Sequence, residues 1–206
     1  MMLPTHAFTG LVLALPVALA MPEVGTAALV AGFLGGVFPD FDMYVGHRKT
    51  LHYPVYFSTL AVAVATLALL LPTAATVAAA VFLLAAAVHS VTDVFGGGLE
   101  LRPWEGTSDR GVYDHYRERW IAPYRWVRYD GAPEDLLLSV TLAVPLLYTL
   151  EGSLQWLVVA SLAVAVVYTA VRRLLPRIAE TLFNRDVVSK LPNPALAYVP
   201  TRYREE

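Results

Sequence analysis

The chain of 206 residues contains no cysteine, which excludes disulfides, thiolate nucleophiles and cysteine-ligated zinc or iron–sulfur sites. Charged residues are also scarce, at 16% against about 25% in an average globular chain. Not one Asp, Glu, Lys or Arg occurs from Tyr53 to Thr92. That uncharged stretch is long enough for two membrane spans of about 20 residues each. Any bound metal must therefore be held by His, Asp, Glu or backbone groups.

What remains is strongly apolar, with 57% hydrophobic residues arranged in six segments. The segments cover approximately residues 5–20, 24–38, 54–71, 73–93, 136–150 and 153–171. They show no period-2 alternation, so barrel strands are not expected. The pattern predicts an all-α polytopic membrane protein whose six helices pair as three hairpins. Segments 5–20, 24–38 and 136–150 are short, and whether they span fully or re-enter the membrane stays open.

The positive charges all fall on one side of this topology. The N-terminus and residues 39–53, 94–135 and 172–206 would share that side and hold 0, 2, 6 and 7 of the 15 Lys and Arg residues. The connections near residues 21–23, 72 and 151–152 hold none. Because cytoplasmic loops are enriched in Lys and Arg, this split predicts a multi-pass protein of the cell (inner or plasma) membrane with both termini in the cytoplasm.

Two regions outside the apolar segments complete the predicted organisation. Residues 94–135 are rich in aromatic residues and Arg, which is typical of an interfacial belt, with a lid over lipid phosphates as the alternative. Acidic residues interrupt this insertion, so nucleic-acid binding is not expected. We predict a membrane domain over residues 1–175 and a proline-containing cytoplasmic tail over residues 176–206.

Four of the five histidines lie at predicted helix ends on the charged side, near several aspartates. The cluster comprises His6 at the start of the first segment, Asp40 and Asp42 after the second, His47, Arg48 and His52 before the third, and His89 and Asp93 at the end of the fourth. His89 and Asp93 are four residues apart, so on a helix they share a face with Cβ atoms about 6 Å apart. Individually these residues are typical of solvated helix ends, polar turns or positive-inside loops. Their convergence favours a metal site.

Imidazole and carboxylate donors suit Zn²⁺, and also Mn²⁺ or Fe²⁺. The leading hypothesis is a metal-dependent hydrolase of phosphoesters in which metal-bound hydroxide is the nucleophile. Asp40 or Asp42 would orient that nucleophile, and Arg48 would neutralise the phosphate. The alternatives are a transporter that binds a divalent cation and a structural membrane protein without catalysis. Whether His47 or His115 joins the ligands is left open.

Several motifs also occur in a combination that resembles a known family. They are Thr5-His6-Ala7-Phe8-Thr9-Gly10, Gly35-Gly36-Val37-Phe38-Pro39-Asp40-Phe41-Asp42, His47-Arg48-Lys49-Thr50-Leu51-His52, and His89-xxx-Asp93 followed by Gly98-Leu99-Glu100-Leu101-Arg102-Pro103-Trp104. Over residues 5–104 the chain resembles the YdjM-like family of membrane-bound metal-dependent hydrolases. More remotely, it is similar to zinc-dependent phospholipase C.

The resemblance implies a ligand set and a substrate class. His6, Asp40 or Asp42, His52, His89 and Asp93 would bind zinc, and the substrate would be a phosphoester, including that of a lipid. The soluble enzymes also use a later His and an HxxxE motif. This chain has only His115 after Asp93, so one or two ions are expected instead of three.

Overall fold

The computed structural model describes residues 1–182 together with Lys190, Pro192 and Ala195. Helices dominate the described part: α1 (Leu3–Ala20), α2 (Pro22–Val37), α3 (Pro54–Leu70), α4 (Ala74–Thr92), α5 (Pro133–Thr149), α6 (Gly152–Val171) and α7 (Leu175–Leu182). Short 3-10 helices cover Phe38–Asp42, Asp93–Phe95 and Pro103–Glu105. The six predicted apolar segments correspond to α1–α6, which confirms a mostly helical architecture.

Four helical stretches of the described chain are long and apolar enough to cross a membrane. They are Leu3–Ala20, Pro22–Asp42, Ala74–Phe95 and Gly152–Val171. The apolar helix α3 has 17 residues and falls just short of that length. These lengths and compositions support a membrane protein. The pairing into three hairpins and the side on which the termini lie stay predictions.

Proline and threonine fix where several helices begin. Pro22, Pro54 and Pro133 occupy the first positions of α2, α3 and α5, where a missing backbone N–H breaks no helical hydrogen bond. At the start of α4, Thr73 and Thr76 each accept a hydrogen bond from the backbone N–H of the other, at 3.2 and 3.0 Å. This capping box satisfies donors that would otherwise lack partners beside the Pro72 turn.

Close backbone contacts draw α1, α2 and α4 together. Gly10 and Gly32 face each other, and a Cβ on either would collide with the carbonyl of the other. Gly35 faces the Phe82 carbonyl of α4 in the same way. The surrounding core is formed by Phe8, Leu11, Ala14, Val24, Ala28, Leu29, Val77, Val81, Ala143, Leu146, Leu150 and Val158. This packing brings the start of α1 and the ends of α2 and α4 to one place.

The insertion between α4 and α5 contains a small β-hairpin, which the all-α prediction did not include. Strands β1 (Val112–Asp114) and β2 (Arg119–Ile121) pair antiparallel, with Tyr113 opposite Trp120 and their rings 5.4 Å apart. Aromatic cross-strand pairs of this kind stabilise short hairpins. The Tyr113 N–H donates to the Arg48 carbonyl at 3.0 Å, which attaches the hairpin to the segment before α3.

The predicted tail begins with structure that the sequence analysis did not foresee. Helix α7 covers its first residues, and Glu180 accepts a hydrogen bond from Arg102 of the insertion at 2.7 Å. Apart from Lys190, Pro192 and Ala195, the tail beyond residue 182 lies outside the described residues.

Candidate metal centre

Four side chains from separate parts of the chain converge on one point. Asp40 comes from the 3-10 turn after α2, His52 from the loop before α3, His89 from the last turn of α4, and Asp93 from the residue that follows α4. Each offers one ligand atom, and these four atoms all lie within 4.8 Å of one another. The structure thus brings together four of the residues that the sequence proposed as metal ligands.

The spacing of these atoms fits a metal ion. One oxygen of Asp93 and one of Asp40 face the two imidazoles. Asp93 Oδ2 lies 3.3 Å from His52 Nε2 and 3.7 Å from His89 Nε2. Asp40 Oδ1 lies 3.8 Å from His52 Nε2 and 3.5 Å from His89 Nε2. A tetrahedral ion with bonds of about 2.0–2.1 Å separates its ligand atoms by roughly 3.3–3.4 Å. The four carboxylate–imidazole distances are within about 0.5 Å of this value, and all pairs of ligand atoms lie within 4.8 Å, so the donors would have to draw together to enclose a Zn²⁺-sized ion.

The two imidazoles are oriented from their opposite nitrogens. His52 Nδ1 is 3.0 Å from Asp42 Oδ2, and His89 Nδ1 is 2.6 Å from the Gly36 carbonyl. Their Nε2 atoms are buried and have no hydrogen-bond partner within the described part of the chain. A carboxylate or carbonyl on one ring nitrogen with the other left free is the arrangement in which metal-binding histidines are held. These two buried nitrogens, together with the carboxylates that face them, could hold a metal ion.

Asp42 is the orienting group of the site. Its carboxylate is 3.0 Å from both His47 Nδ1 and His52 Nδ1, and it accepts from the backbone N–H groups of Arg48 and Leu51 at 3.3 and 3.0 Å. Both oxygens are therefore engaged with the loop that precedes α3. Sequence reasoning placed Asp40 and Asp42 together as ligands, whereas in the structure Asp40 faces the cluster and Asp42 supports it.

Burial and hydrogen bonding act in opposite directions on His52. Burial disfavours the imidazolium, but the hydrogen bond between Nδ1 and Asp42 and the nearby Asp93 carboxylate outweigh it and raise the pKa of His52 above its ordinary value. A metal cation therefore has to compete with a proton for the imidazole of His52. The surrounding carboxylates stabilise the positive charge of either one.

His6 and Arg48 both lie against Asp93 instead of joining the four converging atoms. The His6 ring stacks on His89 with centroids 3.6 Å apart, and His6 Nε2 is 3.0 Å from Asp93 Oδ1. The Met1 amino group donates to the same oxygen at 2.7 Å. Arg48 is buried, with Nε 3.3 Å from Asp93 Oδ2 and Nη1 donating to the Gly97 carbonyl at 2.6 Å. His6 and Arg48 thus fix the direction in which the Asp93 carboxylate points.

The cluster is least buried on the side of Asp40. His52, His89 and Asp93 are almost completely buried, whereas Asp40 retains 9% exposure. Beside it, the His47 side chain is 29% exposed, and its Nδ1 is 4.0 Å from Asp40 Oδ1. Access to the site is therefore past Asp40 and His47.

His115 lies near this region but not in the cluster. Its ring packs against Tyr53 and Tyr113, with centroid distances of 4.4 and 4.9 Å. Its Nδ1 is buried without a hydrogen-bond partner among the described residues. The structure places no contact between His115 and the four converging side chains.

A further buried carboxylate, Asp135, which sequence reasoning missed, anchors the start of α1. Asp135 accepts hydrogen bonds from Thr5 Oγ1 at 2.7 Å and from the backbone N–H groups of Met2 and Gly131 at 2.8 and 3.0 Å. Thr5 and Ser139 share a further hydrogen bond of 2.6 Å. This network ties α1 to α5 one turn away from His6. An aspartate at the start of an otherwise apolar segment was the signal that could have revealed it.

No protein-family model, curated protein or solved structure matches the chain. The case for a function therefore depends on the geometry of the cluster.

Proposed function

We propose that the protein is a membrane-bound, metal-dependent hydrolase of phosphoesters, with Asp40, His52, His89 and Asp93 as the residues that hold the cation. The observation that carries the proposal is the pair of buried, unpartnered Nε2 atoms that face two carboxylates at tetrahedral spacing. Zn²⁺ fits this donor set best, with Mn²⁺ and Fe²⁺ also compatible. The resemblance to the YdjM-like hydrolases supports the same assignment.

The four donors are not held equally. Protein hydrogen bonds fix His52, His89 and Asp93, whereas Asp40 is contacted only by imidazole nitrogens at 3.5 to 4.0 Å in the described chain. Asp40 is also the most exposed of the four. Three fixed protein ligands with one replaceable position are the arrangement of catalytic zinc sites. This difference supports a catalytic site over a purely structural one.

A divalent cation at this point would supply polarisation of a phosphoryl oxygen and activation of water near neutral pH. The residues at the opening complete the reaction. Asp40, as the replaceable fourth ligand, would give up its position to water and is placed to accept the proton that this water loses as its oxygen bonds to phosphorus. His47, held through Nδ1–H by Asp42, is placed to give the Nε2 proton of its imidazolium form to the ester oxygen that leaves, and becomes the neutral imidazole. Arg48 balances one carboxylate charge and keeps Asp93 oriented.

The test compares phosphoester hydrolysis with metal content. Purified protein in phospholipid nanodiscs would be loaded with Zn²⁺ or Mn²⁺ and assayed with bis(p-nitrophenyl) phosphate, p-nitrophenyl phosphate and a phospholipid. We expect turnover that a chelator abolishes. Asp40→Asn should keep its metal and lose about 10²–10⁴-fold in rate, the usual contribution of a proton-transfer group. Asp109→Asn, an exposed acid in the insertion, is the control.

One observation favours a second function. With Asp40 included, four protein donors complete a tetrahedral shell, and closed shells are typical of structural metal sites. A structural metal would join the ends of α2 and α4 without turnover. Full metal occupancy together with no hydrolysis of any of the three substrates would favour this function over the hydrolase.

Transport is less well supported by the structure. The interior between α1, α2 and α4 is filled by apolar side chains and by the Gly10–Gly32 backbone contact. Ion pathways through a membrane are normally lined by polar or ionisable groups. The described helices have their buried charges at one end, where the cluster lies.

A further inference from the structure

A short loop beside the opening of the metal centre exposes an unusual number of large apolar side chains. In this loop, residues 41–45, Phe41 is 67% exposed, Met43 53%, Tyr44 88% and Val45 69%. The remaining residue, Asp42, points inward and is buried. The outer surface of loop 41–45 therefore carries no charge.

Several hydrogen bonds hold the backbone of loop 41–45 in the conformation that exposes these side chains. The N–H groups of Met43 and Val45 donate to the carbonyls of Asp40 and Asp42 at 3.1 and 2.9 Å. Thr50 Oγ1 donates to the Val45 carbonyl. Asp42 itself is fixed by the hydrogen bonds to the loop before α3. A fixed, uncharged projection of this kind needs an apolar environment to cover it.

The position of the loop identifies that environment. Loop 41–45 begins with the last two residues of the candidate span Pro22–Asp42 and continues the chain beyond it. The span Ala74–Phe95 ends beside it, because Asp93 shares the metal centre with Asp40. There Phe95 packs against Tyr124 and Trp126 with ring centroids 5.7 and 4.6 Å apart, and both of these partners are exposed.

Two exposed aromatic groups at the ends of two neighbouring spans form the pattern of a membrane-interface belt. Two cationic side chains lie over rings of the hairpin, which is attached to the segment before α3 through the Arg48 carbonyl. Lys49 lies 4.3 Å from the ring centre of Tyr113, and Arg110 lies 5.7 Å from that of Trp120. Apolar side chains with adjacent cations are suited to the boundary between acyl chains and phosphate headgroups.

We infer that loop 41–45 inserts Phe41, Met43, Tyr44 and Val45 into the acyl–headgroup boundary of a phospholipid bilayer. The occupant of this surface is the lipid itself, because the loop is continuous with a membrane span and has the same exposed apolar character. The side of the metal centre at Asp40 and His47 then lies at the depth of the headgroups. Had residues 39–53 formed an ordinary charged cytoplasmic loop, this side would lie in water. The inference concerns the position of the loop and holds whether or not the site hydrolyses phosphoesters.

The absence of cysteine makes the depth of the loop directly measurable. Tyr44→Cys would be labelled with an environment-sensitive fluorophore in phosphatidylcholine–phosphatidylglycerol nanodiscs, where both membrane faces are accessible. Quenching would be compared between aqueous iodide and lipids that carry a nitroxide at the headgroup or within the acyl chain. Thr107→Cys, exposed on the insertion, is the aqueous control, and Val62→Cys, exposed in the middle of α3, is the deep control.

We expect the label at position 44 to be quenched by shallow nitroxide lipids and protected from iodide, with the label at position 107 showing the opposite. Met43→Cys should give the same quenching pattern as Tyr44→Cys. Agreement between the two positions shows that the result does not arise from the loss of one particular side chain. Iodide quenching at position 44 equal to that at position 107 would overturn the inference. Protection from both iodide and nitroxide lipids would also overturn it, since protein would then cover the loop.

Discussion

At the residue scale, Asp93 is the point on which the contacts of the site converge. One carboxylate oxygen is approached by the Met1 amino group and His6, and the other by Arg48, His52 and His89. A buried carboxylate is costly unless cations or hydrogen-bond donors compensate it. The density of such partners around Asp93 indicates that its charge is required where it lies.

Removal of either residue of the HxxxD pair should eliminate tight metal binding. We predict that His89→Ala and Asp93→Ala each weaken Zn²⁺ binding by more than the roughly 10–100-fold that loss of an orienting partner causes. The double variant should be little worse than either single one, because both residues serve one ion. Competition with a chromophoric chelator measures this, and His115→Ala is the control. Normal affinity in both single variants would remove His89 and Asp93 from the site.

A substitution of Asp42 measures how much the orientation of the two imidazoles contributes to Zn²⁺ affinity, because Asp42 holds His47 and His52 without facing the cation. Asp42→Asn removes the charge that holds His47 and His52 through their Nδ1 atoms. We expect Zn²⁺ affinity to fall by about 10–100-fold while one ion per chain still binds at saturation. Asp109→Asn should leave the affinity unchanged. A loss of binding as severe as that in His89→Ala would instead identify Asp42 as a ligand.

At the element scale, glycine carbonyls and close helix packing build the site. Gly36 of α2 accepts the hydrogen bond from His89 Nδ1, and a Cβ at this position would collide with the His6 carbonyl of α1. The same glycine therefore sets both the orientation of a ligand and the separation of two helices.

Gly36→Ala should consequently disturb stability and metal binding together. We predict that overpacking between α1 and α2 lowers the free energy of unfolding by about 1–3 kcal/mol. Zn²⁺ affinity should fall as well, because the displaced carbonyl no longer holds His89. Thermal unfolding in detergent and metal titration measure the two effects. Ala65→Val, at an exposed position of α3, is the control and should change neither. Unaltered stability and affinity in Gly36→Ala would contradict the described packing.

The helices could be predicted from the sequence, whereas most contacts between them could not. Long apolar runs marked α1–α6, and the i, i+4 spacing placed His89 and Asp93 on one helix face. The different roles of Asp40 and Asp42 were not predictable, because two residues in one 3-10 turn point in directions that only the surrounding loop determines. The Gly36 carbonyl and the strands around Tyr113 depend on tertiary contacts between distant segments.

At the scale of the whole molecule, the structure agrees with an apolar bundle that carries a polar cluster at one end. The cluster, loop 41–45 and the insertion lie together, while the turns near Pro72 and Gly152 are at the other ends of α4 and α6. The separation of Lys and Arg along the chain predicts that the first group faces the cytoplasm.

Sidedness can be measured with single cysteines, since the natural chain has none. We predict that Thr107→Cys reacts with a membrane-impermeant maleimide only from the cytoplasmic side, and Ser153→Cys only from the opposite side. Both positions are exposed, so accessibility depends on the membrane alone. Labelling of both cysteines from the same side would refute the hairpin pairing of α5 and α6.

The central claim is that Asp40, His52, His89 and Asp93 together hold a divalent cation. X-ray absorption spectroscopy of the Zn²⁺-loaded protein tests it most directly, because the spectrum reports the distance and type of the atoms around the metal. We expect about four nitrogen and oxygen neighbours near 2.0–2.1 Å, including two imidazoles, one of which disappears in His89→Ala. A zinc ion surrounded by six oxygens without imidazole, or a spectrum unchanged in His89→Ala, would contradict it.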